Sequence, residues 1–545
     1  MHDQPRDIFG EPFSSSQQAP KRKKAGSKQV FKAYQQHQAI MLPPNLEELI
    51  PEGHVIRVVD RIVNGLKTKI LVDTYQGGGT SAYHPQMLLK VLIYAYVSKV
   101  YASRLIAKAL KENVNFMWLA GMSRPDFRTI NEFRSGRLKR VIDEVFSSTV
   151  VFLIEERYID LSEYFVDGTK IRADANRNKV VWAKNTKRYK KMVQEKIKAQ
   201  LQYIDQLNGE ENERYGDRDL EELGNESQLT SQEVKEHVAK LNAALTEAKH
   251  DTPEANKEKA IAKATKEIET KLVPKLEKYE DQEQILAGRN SYSQTDTDAT
   301  CFRMKDGQLL PAYNILFGTQ FQFILNYSLH QQKASESDAF IPHLHHGHQI
   351  LKQFPPLVMG DSAFGSEENY ALLARLGIAN YLKYNTFHFE TTNKYQMNIY
   401  RKENFVYENG SDSYRCPEGR TLPFKELRQV KTDNGYHSEV RMYQSTDCSG
   451  CPVAGLCKRG DGNRTIQINP TLDGYRAQAR ANLNSERGIA LRKRRGIDVE
   501  PMIGDIKFNQ GYRRCRLRGQ EKVNIEIGLL SIAHNTKKVA LRTVN

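Results

Sequence analysis

Leu357-Val358-Met359-Gly360-Asp361-Ser362-Ala363-Phe364 is a short apolar run that closes on an acid. Such a run, bounded by turn residues, reads as a buried strand. A helical pattern follows from Glu367 to Leu376, Gly377 stops it, and Ile378 to Lys383 forms another strand. Strand, acid, helix, strand is the unit of an α/β sheet. Asp361 then stands at the carboxyl end of a central strand, where such sheets place their sites.

Working upstream, Ala312 to Phe317, Gly318, and Thr319 to Leu329 read as a hairpin of two strands. His343, His345, His346 and His348 follow and read as a helical face bearing histidines, with metal binding as the alternative. Further upstream, Tyr164-Phe165-Val166 is a short strand ending at Asp167, before Gly168-Thr169-Lys170-Ile171. By pattern alone Asp167 is either an acid exposed at the sheet edge or a turn residue before Gly168.

Downstream lies Gly496-Ile497-Asp498-Val499-Glu500-Pro501-Met502-Ile503-Gly504-Asp505-Ile506-Lys507-Phe508, inside a very basic run. Arg492, Lys493, Arg494 and Arg495 precede it; Arg513, Arg514, Arg516 and Arg518 come after. Positions seven apart share a helix face, so Glu500 and Lys507 would point at one spot among guanidinium groups. That arrangement suits a metal ion held against a phosphate backbone. Pro501 disfavours helix at the residue before it, which places Glu500 at a helix start or a kink. Asp498 and Asp505 compete with Glu500 as the third acid.

The chain has 545 residues, enough for roughly two to four compact units. Its net charge of +15 favours an anionic partner, nucleic acid first. The most apolar stretch, Met87 to Val97, is too short to span a bilayer and contains Lys90. The start lacks the apolar run of a signal peptide, so a soluble intracellular protein is expected, with no membrane partner. Six cysteines are too few for a disulfide scaffold.

Residues 1–35 read as a disordered basic tail with Lys21-Arg22-Lys23-Lys24. Residues 36–150 are helical. Leu88, Leu89, Leu92, Ile93 and Tyr96 form one face behind Pro85. A helix from Ser103 to Val114, a turn over Gly121 to Asp126, and a helix from Phe127 to Arg137 follow. The last carries Arg128, Arg134 and Arg137, which suits either major-groove docking or the basic outer face of an ordinary bundle. Gly77-Gly78-Gly79 is a flexible joint. Residues 158–185 and 286–388 hold the strands. Between them, residues 186–285 are a charged helical insertion. Val193, Ile197, Leu201 and Ile204 form one face; Val234, Val238, Leu241 and Leu245 form another, after the capping box Thr230-Ser231-Gln232-Glu233. Residues 389–475 are polar and irregular. There Cys448-x2-Cys451-x5-Cys457, with Cys416 upstream, could supply four thiolates to a structural Zn²⁺; free thiols or a disulfide are the alternatives. Residues 476–545 are helical, and Ile525 to Ala533 is apolar enough to dock on the core.

Spacing alone does not single out Asp167, Asp361 and Glu500 from 66 acidic residues. A set of motifs does. They are Tyr83-His84-Pro85-x-Met87-Leu88-Leu89-Lys90, Phe116-x-Trp118-Leu119-x-Gly121 and Pro125-Asp126-Phe127-Arg128-Thr129-Ile130. Then come Val166-Asp167-Gly168-Thr169-Lys170-Ile171 with Ala175-Asn176 and Trp182, and Asp296-x-Asp298-Ala299. Gly360-Asp361-x-x-Phe364 and Val499-Glu500-Pro501-x-x-Gly504-x-Ile506-Lys507 complete the set. Over roughly residues 36 to 540 the chain resembles bacterial insertion-sequence transposases of the DDE class, most of all the insertion-sequence 1182 type. Related transposases carry an arginine four residues before the glutamate; here that position is Gly496, with Arg495 one residue off.

The resemblance implies an α/β fold: a ribonuclease H-like catalytic core with helical and cysteine-rich insertions, preceded by an all-α DNA-binding domain. It implies cut-and-paste chemistry. Asp167, Asp361 and Glu500 would bind two Mg²⁺ ions, with Mn²⁺ as a substitute. Lys507 and Arg495 would hold the transposon-end phosphate, Arg513 and Arg514 would continue the phosphate track, and Arg128 and Arg134 would meet DNA from the helical domain. The partners implied are transposon ends and target DNA, gripped by a homodimer or larger complex in the bacterial cytoplasm, associated with the nucleoid. The alternatives are a nuclease that only hydrolyses and a DNA-binding protein that keeps the fold without catalysis.

Overall fold

Tyr164-Phe165-Val166 opens the strand on which the molecule is assembled. The computed structural model describes residues 45–67, 69–75, 81–215, 229–247, 255–331, 335–432, 434–458 and 460–543. The tail expected at 1–35 and the joint at Gly77-Gly78-Gly79 lie outside them. The chain divides into Met1–Leu49 and Ile50–Asn545, and every described strand belongs to the second unit.

The strands up to residue 382 are β1 (Tyr164–Arg172), β2 (Val180–Trp182), β3 (Ser291–Ser293), β4 (Thr300–Arg303), β5 (Leu309–Gln320), β6 (Phe323–His330), β7 (Leu357–Gly360) and β8 (Ala379–Leu382). The main sheet has the order β4-β5-β1-β7-β8, and β6 also pairs with β5. β5 runs antiparallel to β1, β4 and β6, whereas β7 runs parallel to β1 and to β8. Phe165, Val166, Tyr313, Ile315, Leu316, Phe317, Val358 and Met359 are fully buried. This two-sided burial explains why the strands read as continuous apolar runs rather than alternating ones.

Two strand boundaries differ from expectation. β1 does not end at Asp167: its pairing with β5 continues to Arg172 opposite Ala312, while its pairing with β7 stops at Phe165 opposite Met359. Asp167 therefore sits where β1 keeps one neighbour and has lost the other. The hairpin does not bend at Gly318, which is paired on both sides, opposite Val166 and Asn326. It bends at Phe321 and Gln322, at φ of 54° and 67°. These are left-handed values that L-residues adopt only when held there. The buried Asp498 carboxylate holds them by accepting both backbone N–H groups. Gly318 has another purpose. A Cβ there would overlap the ring and hydroxyl of Tyr164, whose hydroxyl is bonded to His343 Nε2 at 2.7 Å. Gly318→Ala is expected to destabilise the fold by about 3 kcal/mol, as overpacking of a rigid core does. Denaturant unfolding measures this, and an unchanged midpoint would contradict the packing described.

The N-terminal helices do not form a separately packed domain. One apolar core runs from Ile50 through the helix Pro85–Val97 and the sheet to Ala540. The C-terminal helix Gln520–Thr543 joins the parts, touching the helices Val55–Gly65, Pro85–Val97 and Ile142–Glu155 as well as β6. The expected docking of Ile525 to Ala533 is seen: these residues are all buried. The segment expected as one helix over Phe127–Arg137 is α-helical only to Glu132 and then widens into a π-type turn, Phe133–Arg137.

The helical insertion has its own core. Helices Ala183–Tyr215, Ser231–Glu247, Ala255–Glu267 and Val273–Leu286 bury Val193, Ile197, Leu201, Ile204, Val234, Val238 and Leu241 together with Ile268, Leu272 and Leu276. The side chain of Leu245 lies outside the described residues. The capping box forms: Thr230 N–H donates to Glu233 Oε2 at 2.8 Å, and Glu233 N–H donates back to Thr230 Oγ1 at 3.3 Å. The ribbon β2–β3 ties the insertion to the sheet.

Residues 389–475 are more regular than their polarity suggested. They hold β9 (Val406–Glu408), β10 (Ser413–Arg415), β11 (Thr421–Lys431), β12 (His437–Gln444) and β13 (Thr465–Ile468), in an antiparallel sheet of order β13-β12-β11-β10-β9. Its core is small: Phe405, Leu422, Tyr443 and Ile466.

Candidate active site

Two parallel neighbours, β1 and β7, bring Asp167 and Asp361 to the same end of the sheet. Asp167 Oδ1 accepts from Gly168 N–H at 2.8 Å. Asp361 caps the short turn Ser362–Phe364 and accepts from Ala363 N–H at 2.9 Å. A third acid joins them that sequence reasoning missed. Glu336 opens the helix Glu336–Leu351, which Ser335 caps. One oxygen from each of Asp167, Glu336 and Asp361 lies within 4.8 Å of the other two.

This grouping is electrostatically costly in the metal-free chain. Burial pushes Asp167 up from the usual carboxylate range; Arg495 opposes the shift and Asp361 adds to it. Burial pushes Glu336 up to about 7, and the Asp361 and Asp167 charges push the same way. Three hard oxygen donors with surplus negative charge are the ligand set a divalent cation of the Mg²⁺ kind takes. Gly168 leaves room for the Glu336 carboxyl group: a Cβ there would stand 2.7 Å from its carboxyl carbon. The residues present therefore fit such an ion.

Arg495 supplies the positive charge now in place. Its Nη1 lies 2.6 Å from Glu500 Oε1 and its Nη2 lies 3.2 Å from Asp167 Oδ2. Its side chain is 8% exposed, and Nε is buried without a partner. Glu500 is thus linked to Asp167 through Arg495 and stands outside the carboxylate group. Expected at a helix start or kink, Glu500 instead lies within the helix Glu486–Gly504, next to Pro501. Proline removes the N–H that would bond the carbonyl four residues back. That carbonyl, Ile497 O, accepts from Gln322 Nε2 at 2.8 Å instead.

The rival acids have other partners. Asp498 is buried and accepts from Thr319 Oγ1 at 2.6 Å. Asp505 lies 3.3 Å from His534 Nδ1 and accepts from Gln510 Nε2 at 2.8 Å, which holds its carboxyl far below the usual range.

Cations ring the acids. Burial pushes Lys507 down to about 8, with Lys305 and Lys170 adding to the shift and Asp167 opposing it. Lys383, at the end of β8, is also lowered by burial, with Arg495 and Arg492 contributing. The segment 512–516 is stitched to the end of β1: Arg172 N–H donates to Arg513 O at 3.2 Å, and Cys515 N–H donates to Arg172 O at 2.8 Å. Tyr512 and Cys515 point into the core, which leaves Arg513, Arg514 and Arg516 exposed. Arg514 and Arg518 pair with Asp174 at 2.7 and 2.9 Å.

Residues 415–540 match the family model of a transposase DDE domain, and residues 44–136 match that of a transposase domain, DUF772. The two matches support an insertion-sequence transposase. No curated protein matches the chain. The first match contains Arg495, Glu500 and Lys507; Asp167, Glu336 and Asp361 lie outside it. Transposases act on DNA, which supports DNA as a partner of the chain, and a DDE domain implies a divalent metal. Among the described residues, no helix is long and apolar enough to cross a membrane.

Of the arginines expected on DNA, Arg128 is exposed beside Phe127. Arg134 is a correction. It is 3% exposed and gives its guanidinium to Tyr101 O at 2.7 Å and Ser103 Oγ at 3.1 Å, so it fastens the N-terminal helices to one another. The four histidines lie on the helix Glu336–Leu351 but not on one face: His343 is fully buried between Tyr164 and Ser328, whereas His345 and His348 are exposed. None of the six cysteines is paired in a disulfide, so that alternative is not realised. Cys416, Cys448, Cys451 and Cys457 line one small cavity in the β9–β13 lobe. Arg420 N–H and Arg464 N–H each donate to a sulfur there, Cys416 and Cys448 respectively, both at 3.3 Å.

Proposed function

We propose that the chain is a DDE transposase of the insertion-sequence 1182 type, which cuts at the ends of its element and joins them to target DNA. The observation that carries this reading is the meeting of Asp167 and Asp361, from adjacent parallel strands, beside Lys507 and the arginine-rich edge of β1. The sheet supports a ribonuclease H-like core: β6, β5 and β1 are antiparallel, β7 and β8 continue in parallel, and an acid lies on or just after each of the adjacent strands β1 and β7.

Bound at this site, two Mg²⁺ ions, or Mn²⁺ in their place, would activate the attacking oxygen and stabilise the leaving one. Asp167 and Asp361 hold them, and Glu500 completes the set when it leaves Arg495. Arg495, still beside Asp167, then turns the amino group released by Glu500 to the end phosphate, beside Lys507. Arg513 and Arg514 extend the phosphate track, and Arg128 contacts DNA from the helical block. Water opens the phosphodiester at the transposon end and frees a 3′-hydroxyl, which attacks target DNA. Paired ends call for a homodimer or larger complex, bound to DNA in the nucleoid.

A hydrolysis-only nuclease would use the same acids. Pre-cut ends with a free 3′-hydroxyl, incubated with supercoiled plasmid and Mg²⁺, separate the two. Joined products are expected; nicking without joining would sink strand transfer, and binding with neither would favour the DNA-binding alternative.

The four cysteines of the β9–β13 lobe hold a structural Zn²⁺ on this reading, because a core of four residues is small for an independent sheet. The purified chain is expected to carry about one zinc per chain. Cys448→Ser with Cys451→Ser should lose it and open residues 400–470 to protease. Zinc-free protein with an intact lobe would refute this.

A further inference from the structure

We propose that Glu336 is a ligand of the first metal ion, sharing it with Asp167 and Asp361 before DNA binds, while Glu500 joins only afterwards. This rests on the metal-dependent reading of the site and adds a residue to it. Two independent observations point the same way. The first is geometric. On one octahedral Mg²⁺ ion at most one pair of three oxygens is trans, about 4.2 Å apart, and the other pairs are cis, about 3 Å apart. The three carboxylates present oxygens within 4.8 Å of each other, so side-chain rotations that close the gaps by up to about 2 Å bring all three onto one ion. Glu500 is not in that group: it is 55% exposed and tied to Arg495.

The second observation is the backbone beneath Glu336. The Gly168 Cα faces the Glu336 carboxyl group, and a side chain there would stand 2.7 to 3.0 Å from its Cδ, Oε1 and Cγ atoms. Asp167 therefore supplies one ligand, and the glycine after it lets a second carboxylate lie across the strand. Among the described strands, β1 has no partner on the β7 side between Phe165 and the bridge at Arg172. The helix Glu336–Leu351 fixes the approach. Ser335 caps its first turn, and Ala339, Phe340 and His343 are buried behind it.

The test uses the full-length chain without DNA and Mn²⁺ alone as the probe, with free Mn²⁺ followed by its paramagnetic resonance and melting temperature followed in parallel. Wild type is expected to bind. Glu336→Gln and Asp361→Asn should each weaken binding at least about tenfold, since loss of even an outer-shell group costs that much. Both should keep or raise the metal-free melting temperature, because each removes one of three crowded like charges. Glu336→Asp, which keeps the charge but withdraws the oxygens, should fall between wild type and Glu336→Gln. Glu500→Gln should change DNA-free affinity little. If Glu336→Gln and Glu336→Asp bind Mn²⁺ like wild type while Asp361→Asn does not, Glu336 is no ligand and the Asp167–Asp361 centre survives. If wild type itself takes up no Mn²⁺, this proposal and the metal-centre reading fall together.

Discussion

Asp361→Asn is expected to bind transposon-end DNA and leave it uncut, with cleavage slowed at least about a thousandfold, near 4 kcal/mol of lost transition-state stabilisation. The substitution keeps shape and removes charge. The Asp361 carboxylate accepts from Ala363 N–H, a donor that an amide oxygen can still satisfy. The fold should therefore stand, and relief of repulsion with Asp167 and Glu336 works in its favour. DNA affinity should hold or rise, because one fewer negative charge faces the phosphates. Gel shift and end cleavage, run on one preparation, measure both. Cleavage at the wild-type rate would mean that the cutting centre lies elsewhere.

Arg495→Met should lower metal-free stability by about 3 kcal/mol. Taking one partner from a buried ion pair leaves the other charge uncompensated, and here Asp167 is the partner with little access to water, at 17% exposed. Glu500, at 55% exposed, can be rehydrated, which keeps the cost at the lower end of the usual range. The variant should also gain more from Mg²⁺ than wild type does, since a divalent ion replaces the charge the guanidinium supplied. Denaturant unfolding with and without Mg²⁺ gives both numbers. An equal Mg²⁺ effect in variant and wild type would show that Arg495 and the metal do not share these carboxylates.

The parts of the fold that depend on local chemistry were legible in the sequence. Leu357–Gly360 and Ala379–Leu382 are short apolar runs around a helix that Gly377 stops, and they form as expected. The capping box at Thr230 and Glu233 is equally local. What was misread depends on distant partners. Gly318 looked like a turn because nothing in the sequence says that Tyr164 packs on it. The true turn, at Phe321 and Gln322, carries no glycine because Asp498, far along the chain, holds it, with the Arg494 guanidinium 5.0 Å over the Phe321 ring. Pro501 argued against a helix at Glu500, and the helix survives because Gln322 satisfies the carbonyl that proline leaves free.

The site divides in the same way. Asp167 and Asp361 follow apolar runs and could be placed on a sheet. Glu336 opens a helix, and its one sequence signal is an acid after a serine cap, which many helices share. Its place beside Gly168 exists only once β1, β5 and β6 are folded. Arg134 and Arg128 are indistinguishable by spacing, yet one is buried against Tyr101 O, Ser103 Oγ and Asn131 Oδ1 and the other faces solvent.

The most direct measurement is end cleavage by the full-length chain on linear duplex carrying the ends of its own element, with Mg²⁺ and with EDTA. A metal-dependent centre at Asp167 and Asp361 predicts cuts at the element's boundaries that leave 3′-hydroxyls, in Mg²⁺ alone. Ends that are bound but stay whole in both Mg²⁺ and Mn²⁺, or cuts that persist in EDTA, would contradict it.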